Sequence, residues 1–541
     1  MKTIALAAVN ASYSHSNLAL FYLRRALREE GVEAELIDWN INRSPRELIE
    51  RLSAGGFGLV AFSAYIWNSR YLQDLLPDLR AILPEVLLVI GGPEAVYGGN
   101  PWLRELGVDY LLTGAAEHFS EQLIRLSTEE RRLAPQRIDA PRRSFVETPF
   151  PYSEQDLNQL EGRLLYYEAS RGCIFRCAYC LSARADESFD RRRLDQVETE
   201  LALLVRFRGT VKFVDRTFNA DSELSRFIWQ YMIDHPPVGC FHFELHPLLL
   251  RDQDFLLLSR LPAGSAQFEI GIQSTDHEVR RRIDRSGDWP REREAIRRLI
   301  DINRFHIHLD QIVGLPGDSP ETASRSLDEI LALQPDHFQL GFLKLLPGTP
   351  LWERREAEGL VAGREPPYEL LQSPDFSFLE LQRFHRIETL IDLFYNKSYF
   401  PETLKTIAEA HDYSAFFSAF ASQRELEFEA RRWEYWAGII LDWVKAVLPE
   451  QGIEITDSLR LDWCPRAKAL HYPSLIDYPE KIDLNRRKKE FAPLLKERFP
   501  EITPAEQKRA ILFLPEGKRA ADYRALFFLT VEGRPEKVVL Y

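Results

Sequence analysis

The stretch Leu164-Leu-Tyr-Tyr-Glu-Ala-Ser-Arg-Gly-Cys173-Ile-Phe-Arg-Cys177-Ala-Tyr-Cys180 decides how this chain is read. It opens as a short β-strand, LLYYEAS, and the loop that follows carries three cysteines spaced Cys-x3-Cys-x2-Cys. The chain has only five cysteines, and the other two, Cys240 and Cys464, stand alone. Three thiolates at this spacing can hold three irons of a [4Fe–4S] cube and leave the fourth iron open to a small molecule. A structural zinc site needs four ligands, usually as two pairs, and the sequence offers no second pair. Disulfide frameworks belong to small secreted chains with dispersed cysteines. Here the opening apolar run, Ile4 to Val9, is short and reads as a first strand rather than a secretory signal.

The strand before the cysteines is the first of six. TVKFVD, CFHFELHP, AQFEIGIQS, HIHLDQIVGLPG and HFQLGFLKLLPG follow, with helical stretches at 194–207, 224–233, 276–283, 291–303 and 321–333. This alternation predicts a central (βα)6 partial TIM barrel over residues 163–370, with functional residues at the C-terminal strand ends. Residues 1–127 alternate in the same way through TIALAAV, EAELIDW, GLVAFSAY, VLLVIGGPEA and VDYLLTGAAE. Near-continuous apolar strands predict a Rossmann-like, doubly wound parallel sheet. Its ligand end would carry the loops NASYSHSN, FSAYIWN, GGPE and TGAAE, whose small residues let a bulky ligand approach the backbone. Charges and prolines over 128–162 read as a linker. Residues 371–541 read as a mainly helical domain ending in a hairpin around Glu532-Gly533. Its tryptophans (Trp433, Trp436, Trp443 and Trp463) suit helix packing better than a substrate cage. The fold class is α/β.

At 541 residues the chain fits about three domains of roughly 150 residues each. Hydrophobic residues make up 45%, enough for substantial cores. A formal charge of −13 argues against a general nucleic-acid surface. No apolar stretch approaches the ~20 residues of a membrane span. A cytoplasmic, reducing setting is expected, poor in oxygen because an accessible cluster is oxygen-sensitive.

Residues 163 to about 350 resemble the radical S-adenosylmethionine superfamily, whose CxxxCxxC signature is matched by Cys173, Cys177 and Cys180, with the aromatic Tyr179 before the last cysteine. The resemblance implies that the open iron chelates S-adenosylmethionine, which is cleaved to a 5′-deoxyadenosyl radical. Phe213-Val-Asp215-Arg-Thr217-Phe-Asn219 stands where the family contacts the methionine amino group, although it departs from the usual Gly-Gly-Glu. Glu269-Ile-Gly271-Ile-Gln273 is similar to the fourth-strand motif near the ribose, and Arg285 to a basic residue near the methionine carboxylate. Ile312-Val-Gly314-Leu-Pro316-Gly317 resembles the fifth-strand motif lining the adenine. Leu345-Leu346-Pro347-Gly348-Thr349-Pro350 resembles the sixth-strand end in the branch with an N-terminal cobalamin domain.

That branch implies cobalamin for the first domain, with Ser12, Ser14, His15, Ser63, Tyr65, Gly91, Gly92, Gly114 and Glu117 around the corrin and nucleotide tail. The loop Tyr13 to Leu18 lacks the Asp and Gly of the Asp-x-His-x-x-Gly motif. His15 therefore suits helix capping or a bond to the tail better than ligation of cobalt. The C-terminal region, entered through Arg364-Glu-Pro366-Pro367-Tyr368-Glu369, resembles an uncharacterised domain of the same branch. Glu244, His246 and Asp310 also stand at strand ends, as substrate contacts or as satisfied structural groups.

The expected activity is a cobalamin-dependent radical methyltransferase acting on an unactivated carbon or phosphorus centre, with Cys173, Cys177 and Cys180 holding the catalytic cluster. The alternatives are a cobalamin-assisted cyclase or ring-contracting enzyme, and a cobalamin or redox sensor whose C-terminal helices bind a partner. The expected partners are a small-molecule or peptide substrate and an electron donor such as flavodoxin or ferredoxin.

Overall fold

The N-terminal sheet is built from β1 (Ile4–Asn10), β2 (Ala34–Asn40), β3 (Leu59–Ser63), β4 (Leu87–Gly91), β5 (Tyr110–Thr113) and β6 (Gln136–Asp139). Between them run α1 (Leu18–Glu29), α2 (Pro45–Ala54), α3 (Ser69–Ile82), α4 (Pro93–Tyr97) and α5 (Ser120–Thr128). All pairings are parallel, in the order β2-β1-β3-β4-β5-β6. Every residue of β1 is buried. Ala5, Ala7 and Val9 enter the core on one face, and Ile4, Leu6 and Ala8 the core on the other. That two-period division is why the strand is apolar throughout. Strand order reverses between β1 and β3, the position where open α/β sheets bind ligands. Strand β6 lies within the stretch read as a linker. It is a sheet-edge strand of alternating half-buried and exposed residues, so it carries no apolar run by which to recognise it.

The computed structural model describes residues 3–540 apart from 99–101, 129–134, 142, 184–188, 286, 424–431, 466–471, 479–483, 510, 517, 522–524 and 532–533. Two compact units divide the chain, Met1–Ser326 with Leu333–Leu381, and Leu327–Ala332 with Gln382–Tyr541.

The barrel follows in the first unit. After α6 (Glu154–Gln159) and β7 (Leu164–Tyr167) comes a small ribbon of β8 (Ser170–Arg171) and β9 (Asp190–Arg191). Then α7 (Leu194–Leu204), β10 (Thr210–Phe213), α8 (Ser222–Asp234), β11 (Cys240–Glu244), α9 (Asp252–Leu258) and β12 (Ala266–Gln273) succeed one another. Helices α10 (His277–Arg282) and α11 (Trp289–Ile302) lead to β13 (His306–Val313), α12 (Pro320–Leu331) and β14 (His337–Phe342). The parallel order β7-β10-β11-β12-β13-β14 matches the six strands read from the sequence. Burial alternates along β12 and β13. Phe268, Ile270 and Leu309 are fully buried, whereas Glu269, His308 and Asp310 on the opposite face are half-buried. The polar rows line the barrel interior. Past β14, α13 (Pro350–Arg354) leads to a hairpin of β15 (Val361–Ala362) and β16 (Leu370–Gln372).

The second unit is mainly helical: α14 (Phe378–Ile391), α15 (Pro401–Ala408), α16 (Tyr413–Ala421), α17 (Trp433–Val447), α18 (Gly452–Trp463), α19 (Leu484–Arg498) and α20 (Pro504–Arg509). Its tryptophans pack among rings: Trp433 lies 5.1 Å from Trp463, Trp436 5.4 Å from Phe394 and Trp443 5.0 Å from Phe416. A three-stranded antiparallel sheet joins β17 (Ile511–Phe513), β18 (Ala525–Val531) and β19 (Arg534–Leu540). The strands β18 and β19 form the hairpin read from the sequence, while its turn, Glu532-Gly533, lies outside the described residues. Among the described residues no helix is long and apolar enough to cross a membrane.

One buried ion pair anchors the connection between α10 and α11. Arg280 and Glu292 are 3% and 2% exposed and meet through two bonds of 2.8 and 2.5 Å. Removing one partner of such a pair strands the other charge. Glu292→Ala is therefore predicted to cost about 3–5 kcal/mol of stability, and Arg280→Met with Glu292→Leu considerably less. Denaturant unfolding of the three chains checks both.

Candidate active site

The cysteine loop hangs from a buried carboxylate. Asp215, just past β10 and 1% exposed, accepts hydrogen bonds from the Ala169 amide at 3.0 Å and the Ser170 hydroxyl at 2.5 Å. Both donors precede the loop, so Asp215 is committed to holding its base. The Cys180 amide folds back on the Cys177 carbonyl at 3.1 Å. The Ala178 amide reaches the Ile283 carbonyl at 2.8 Å, and the Leu351 amide reaches the Ala178 carbonyl at 2.9 Å. Cys177 is buried, and Cys173 and Cys180 are half-buried.

Two guanidinium groups face these thiols. Arg285 donates to the Cys177 sulfur at 3.7 Å and also binds the Gly271 carbonyl. Arg216 is exposed into the space beside the loop. Burial disfavours its charge, but Glu244, Cys180, Glu168 and Cys173 more than restore it. Burial pushes the Cys180 thiol up, with Arg216 acting against it. The donor set thus consists of three thiols, flanked by positive charge that compensates an anionic cluster. Among the described residues no three His, Cys, Asp or Glu side chains converge as ligands of one metal ion. Three thiolates at this spacing can each bind a different iron of a cube, and the set fits a cluster.

The remaining S-adenosylmethionine candidates lie at two levels. Thr217 stands 3.5 Å from the Cys173 sulfur. Gln273 ends β12 in left-handed backbone (φ +70°), and its buried Oε1 has no hydrogen-bond partner among the described residues. Tyr179 is raised by burial and sits by Arg285. Ile312 and Leu346 are half-buried. Gly314 has φ +84°, and a Cβ there would lie 2.6 Å from Leu370. Glu269 belongs instead to an ion cluster inside the barrel, 3.0 Å from Lys212 and 2.8 Å from His242. Burial pushes its carboxyl up, but His242 and Lys212 outweigh this and hold it at about 2. The Asp310 carboxylate, raised by burial, is 3.0 Å from His308. Glu244, also raised by burial, is 3.9 Å from Lys212. His246 stacks on Phe175 of the cysteine loop at 4.4 Å.

At the other side, the loops after β1, β3, β4 and β5 meet the barrel. The Ser12 and Ser14 hydroxyls are 2.8 Å apart. His15 does not cap α1; Asn17 does, accepting from the Leu20 amide. The His15 Nδ1 shares a 2.6 Å hydrogen bond with the Tyr166 hydroxyl of β7. Ser63 accepts from Asn17 at 2.7 Å. Tyr65 stacks on Trp67 at 4.3 Å. Burial, and then the Glu168 carboxylate, push the Tyr65 hydroxyl up to about 12. Gly92 (φ +94°) lies so close to Ala64 that a Cβ would come within 2.6 Å of its carbonyl oxygen, and at Gly114 (φ +125°) a Cβ would meet Ala140 at 2.8 Å. Gly91 accepts from the Ala64 amide at 2.8 Å. Glu117 is buried, paired with Arg171 and bonded to Thr148 at 3.2 Å.

The sequence reading passed over several residues that complete this region. Asn68 is fully buried and staples β1 to β3 through the Val9 and Ser63 carbonyls, at 2.8 and 2.9 Å. Arg171, Tyr166, Glu168 and Arg216 stand where the two sheets face each other. Lone polar residues between strands carry no periodic signal, although Arg171 and Arg216 are each within two residues of a position already singled out.

Three family matches cover most of the chain: a B12 binding domain over 4–124, the Radical SAM superfamily over 167–330, and a protein of unknown function, DUF4080, over 359–510. The hopanoid C-2 methylase of Rhodopseudomonas palustris (strain TIE-1) is 24% identical over 266 residues, 46% of this chain and 49% of that protein. TokK, a cobalamin-dependent radical SAM methyltransferase of Streptomyces tokunonensis, is 23% identical over 338 residues, 54% of this chain and 48% of that protein. The chain spans about half the length of these relatives. In fold it is similar to the cobalamin-dependent S-adenosylmethionine radical enzyme OxsB with aqua-cobalamin bound. The TM-score is 0.59 at 14% identity, over 86% of this chain and 79% of that one. The chain thus carries a B12 binding domain, a Radical SAM domain and a C-terminal domain of unknown function.

Proposed function

We propose that this chain is a cobalamin-dependent radical S-adenosylmethionine enzyme, a methyltransferase acting on an unactivated carbon or phosphorus centre. One observation carries the reading: the loops at the ligand end of the N-terminal sheet and the cysteine loop border the same space. His15 reaches Tyr166, and Tyr65 lies in the field of Glu168 and Arg216. Arg216 also lies in the field of Cys173 and Cys180. A radical site and a methyl donor that share one substrate must border one space. Bound there, the cluster and S-adenosylmethionine supply a hydrogen-abstracting radical, and cobalamin supplies the methyl group.

In this reading Cys173, Cys177 and Cys180 hold the cluster. Arg285, between the Cys177 sulfur and the Gly271 carbonyl, takes the methionine carboxylate with its planar fork. The unfilled Gln273 Oε1 accepts from a ribose hydroxyl. Thr217, Tyr179, Ile312, Gly314 and Leu346 border the same cosubstrate. Ser12, Ser14, Ser63 and Tyr65 border the corrin and its tail, Gly91, Gly92 and Gly114 let the loops beneath it pack closely on their neighbours, and His15 and Glu117 hold that end of the sheet against the barrel. The methylase and methyltransferase names of the two relatives support this reaction class.

Anaerobically reconstituted protein given hydroxocobalamin, S-adenosylmethionine and a strong reductant is predicted to form S-adenosylhomocysteine and 5′-deoxyadenosine, both read by mass spectrometry. Deoxyadenosine without S-adenosylhomocysteine contradicts methyl transfer and favours cyclisation. Cys177→Ala should abolish deoxyadenosine formation while far-ultraviolet circular dichroism stays unchanged. Arg285→Lys should weaken S-adenosylmethionine binding about tenfold, measured by calorimetry, because an ammonium cannot reproduce the bidentate fork.

A further inference from the structure

A strained tyrosine in the β15–β16 hairpin grips the N-terminal sheet. Tyr368 precedes β16 and has φ +57°, left-handed backbone in a bulky residue that is not glycine. Such a conformation is costly and persists where the surroundings over-determine it. Here they do. The Tyr368 amide donates to the Glu365 carbonyl at 3.0 Å, and its carbonyl accepts from the Leu345 amide at 2.9 Å. Its ring packs edge-on against Trp352 at 5.9 Å. Its hydroxyl donates to Glu94 Oε1 at 2.6 Å, with the Gly98 carbonyl a further 3.2 Å contact. Tyr368 and Glu94 are 3% and 2% exposed.

Glu94 is the second residue of α4, just past the Gly91-Gly92 turn that ends β4. The Glu94 amide donates to the Ala64 carbonyl at 3.2 Å, and Gly92 abuts the same carbonyl. Glu94 Oε1 also accepts from the Ser69 hydroxyl at 3.3 Å. The Tyr368 hydroxyl therefore bears on the β3 and β4 loops together. Two residues on, Leu370 packs over Gly314, the fifth-strand motif on the barrel side. One short hairpin thus touches a loop at the ligand end of each half of the unit.

We propose that Tyr368 is a positioning residue for cobalamin, holding the β4–α4 turn at Gly91-Gly92 against the corrin through its bond to Glu94. The proposal rests on the cobalamin reading of the N-terminal sheet. It gives a role to the first residues of the region matched as a domain of unknown function, 359–510.

The test is hydroxocobalamin titration, followed by visible absorbance, of the full cluster-reconstituted chain and of Tyr368→Phe, which keeps the ring and deletes the hydroxyl. S-adenosylmethionine affinity, iron content and the cob(II)alamin electron paramagnetic resonance spectrum are read in parallel. Tyr368→Phe should bind hydroxocobalamin about tenfold more weakly, as loss of a hydrogen bond to a buried charged group implies. The cob(II)alamin spectrum should shift, with iron content and S-adenosylmethionine affinity within about twofold of wild type. Glu94→Gln should weaken corrin binding in the same direction, and the double variant should be no worse than Tyr368→Phe alone, because the two residues act through one bond. Unchanged corrin affinity in Tyr368→Phe overturns the proposal alone. Joint loss of corrin, iron and S-adenosylmethionine overturns it in favour of a general structural role. A wild-type chain that takes up no corrin overturns the cobalamin reading and the proposal with it.

Discussion

The Arg171 guanidinium is the joint on which this molecule turns. It lies two residues before Cys173, pairs with Glu168 at 2.9 Å on its own side, and pairs with the buried Glu117 on the N-terminal side. Its ring partner is Phe145, 4.2 Å away. Burial works against the charge, and the two carboxylates more than restore it. A half-buried cation held by two anions, one of them buried, loses either only at a cost. The cysteine loop and the β5 loop of the N-terminal sheet are therefore fixed to each other, not merely adjacent. Arg163 repeats the arrangement at the start of β7, binding Asp38 and the His15 carbonyl.

This constraint explains a feature common to the candidate residues. Several polar groups at the ligand end of the N-terminal sheet are turned toward the barrel: His15 to Tyr166, Glu117 to Arg171 and Thr148. They make the wall of the shared space rather than project freely into it. On the barrel side, Asp215 is likewise consumed in suspending the loop. Near the thiols, Gln273 and Arg285 keep unfilled polar atoms and Arg216 lies in the field of Cys173 and Cys180.

The strands were legible because packing wrote them into the sequence. Residues 4–9 are apolar because both faces of β1 are covered, and the barrel strands alternate because one face meets helices and the other a polar interior. The cysteines were legible because a cluster imposes a short local spacing. What escaped is non-local. Strand β6 is an edge strand among charges, and β17 is three residues long. Asn68 acts on β1 from 59 residues away, and Tyr368 reaches Glu94 across 274. No window of sequence shows that such a pair exists. Of the two roles read for His15, the helix cap belongs to Asn17 instead, for a related reason: the hydrogen-bond partner of His15, Tyr166, lies in another sheet.

The central claim is that a cluster on the cysteine loop and a corrin on the N-terminal sheet border one space. The most direct measurement is electron paramagnetic resonance of the reconstituted full chain, holding cob(II)alamin and the reduced [4Fe–4S] cluster at once. The account predicts spin–spin coupling, seen as broadening and faster relaxation of the cob(II)alamin signal only when the cluster is reduced. Two independent, unbroadened signals at full occupancy of both would contradict it.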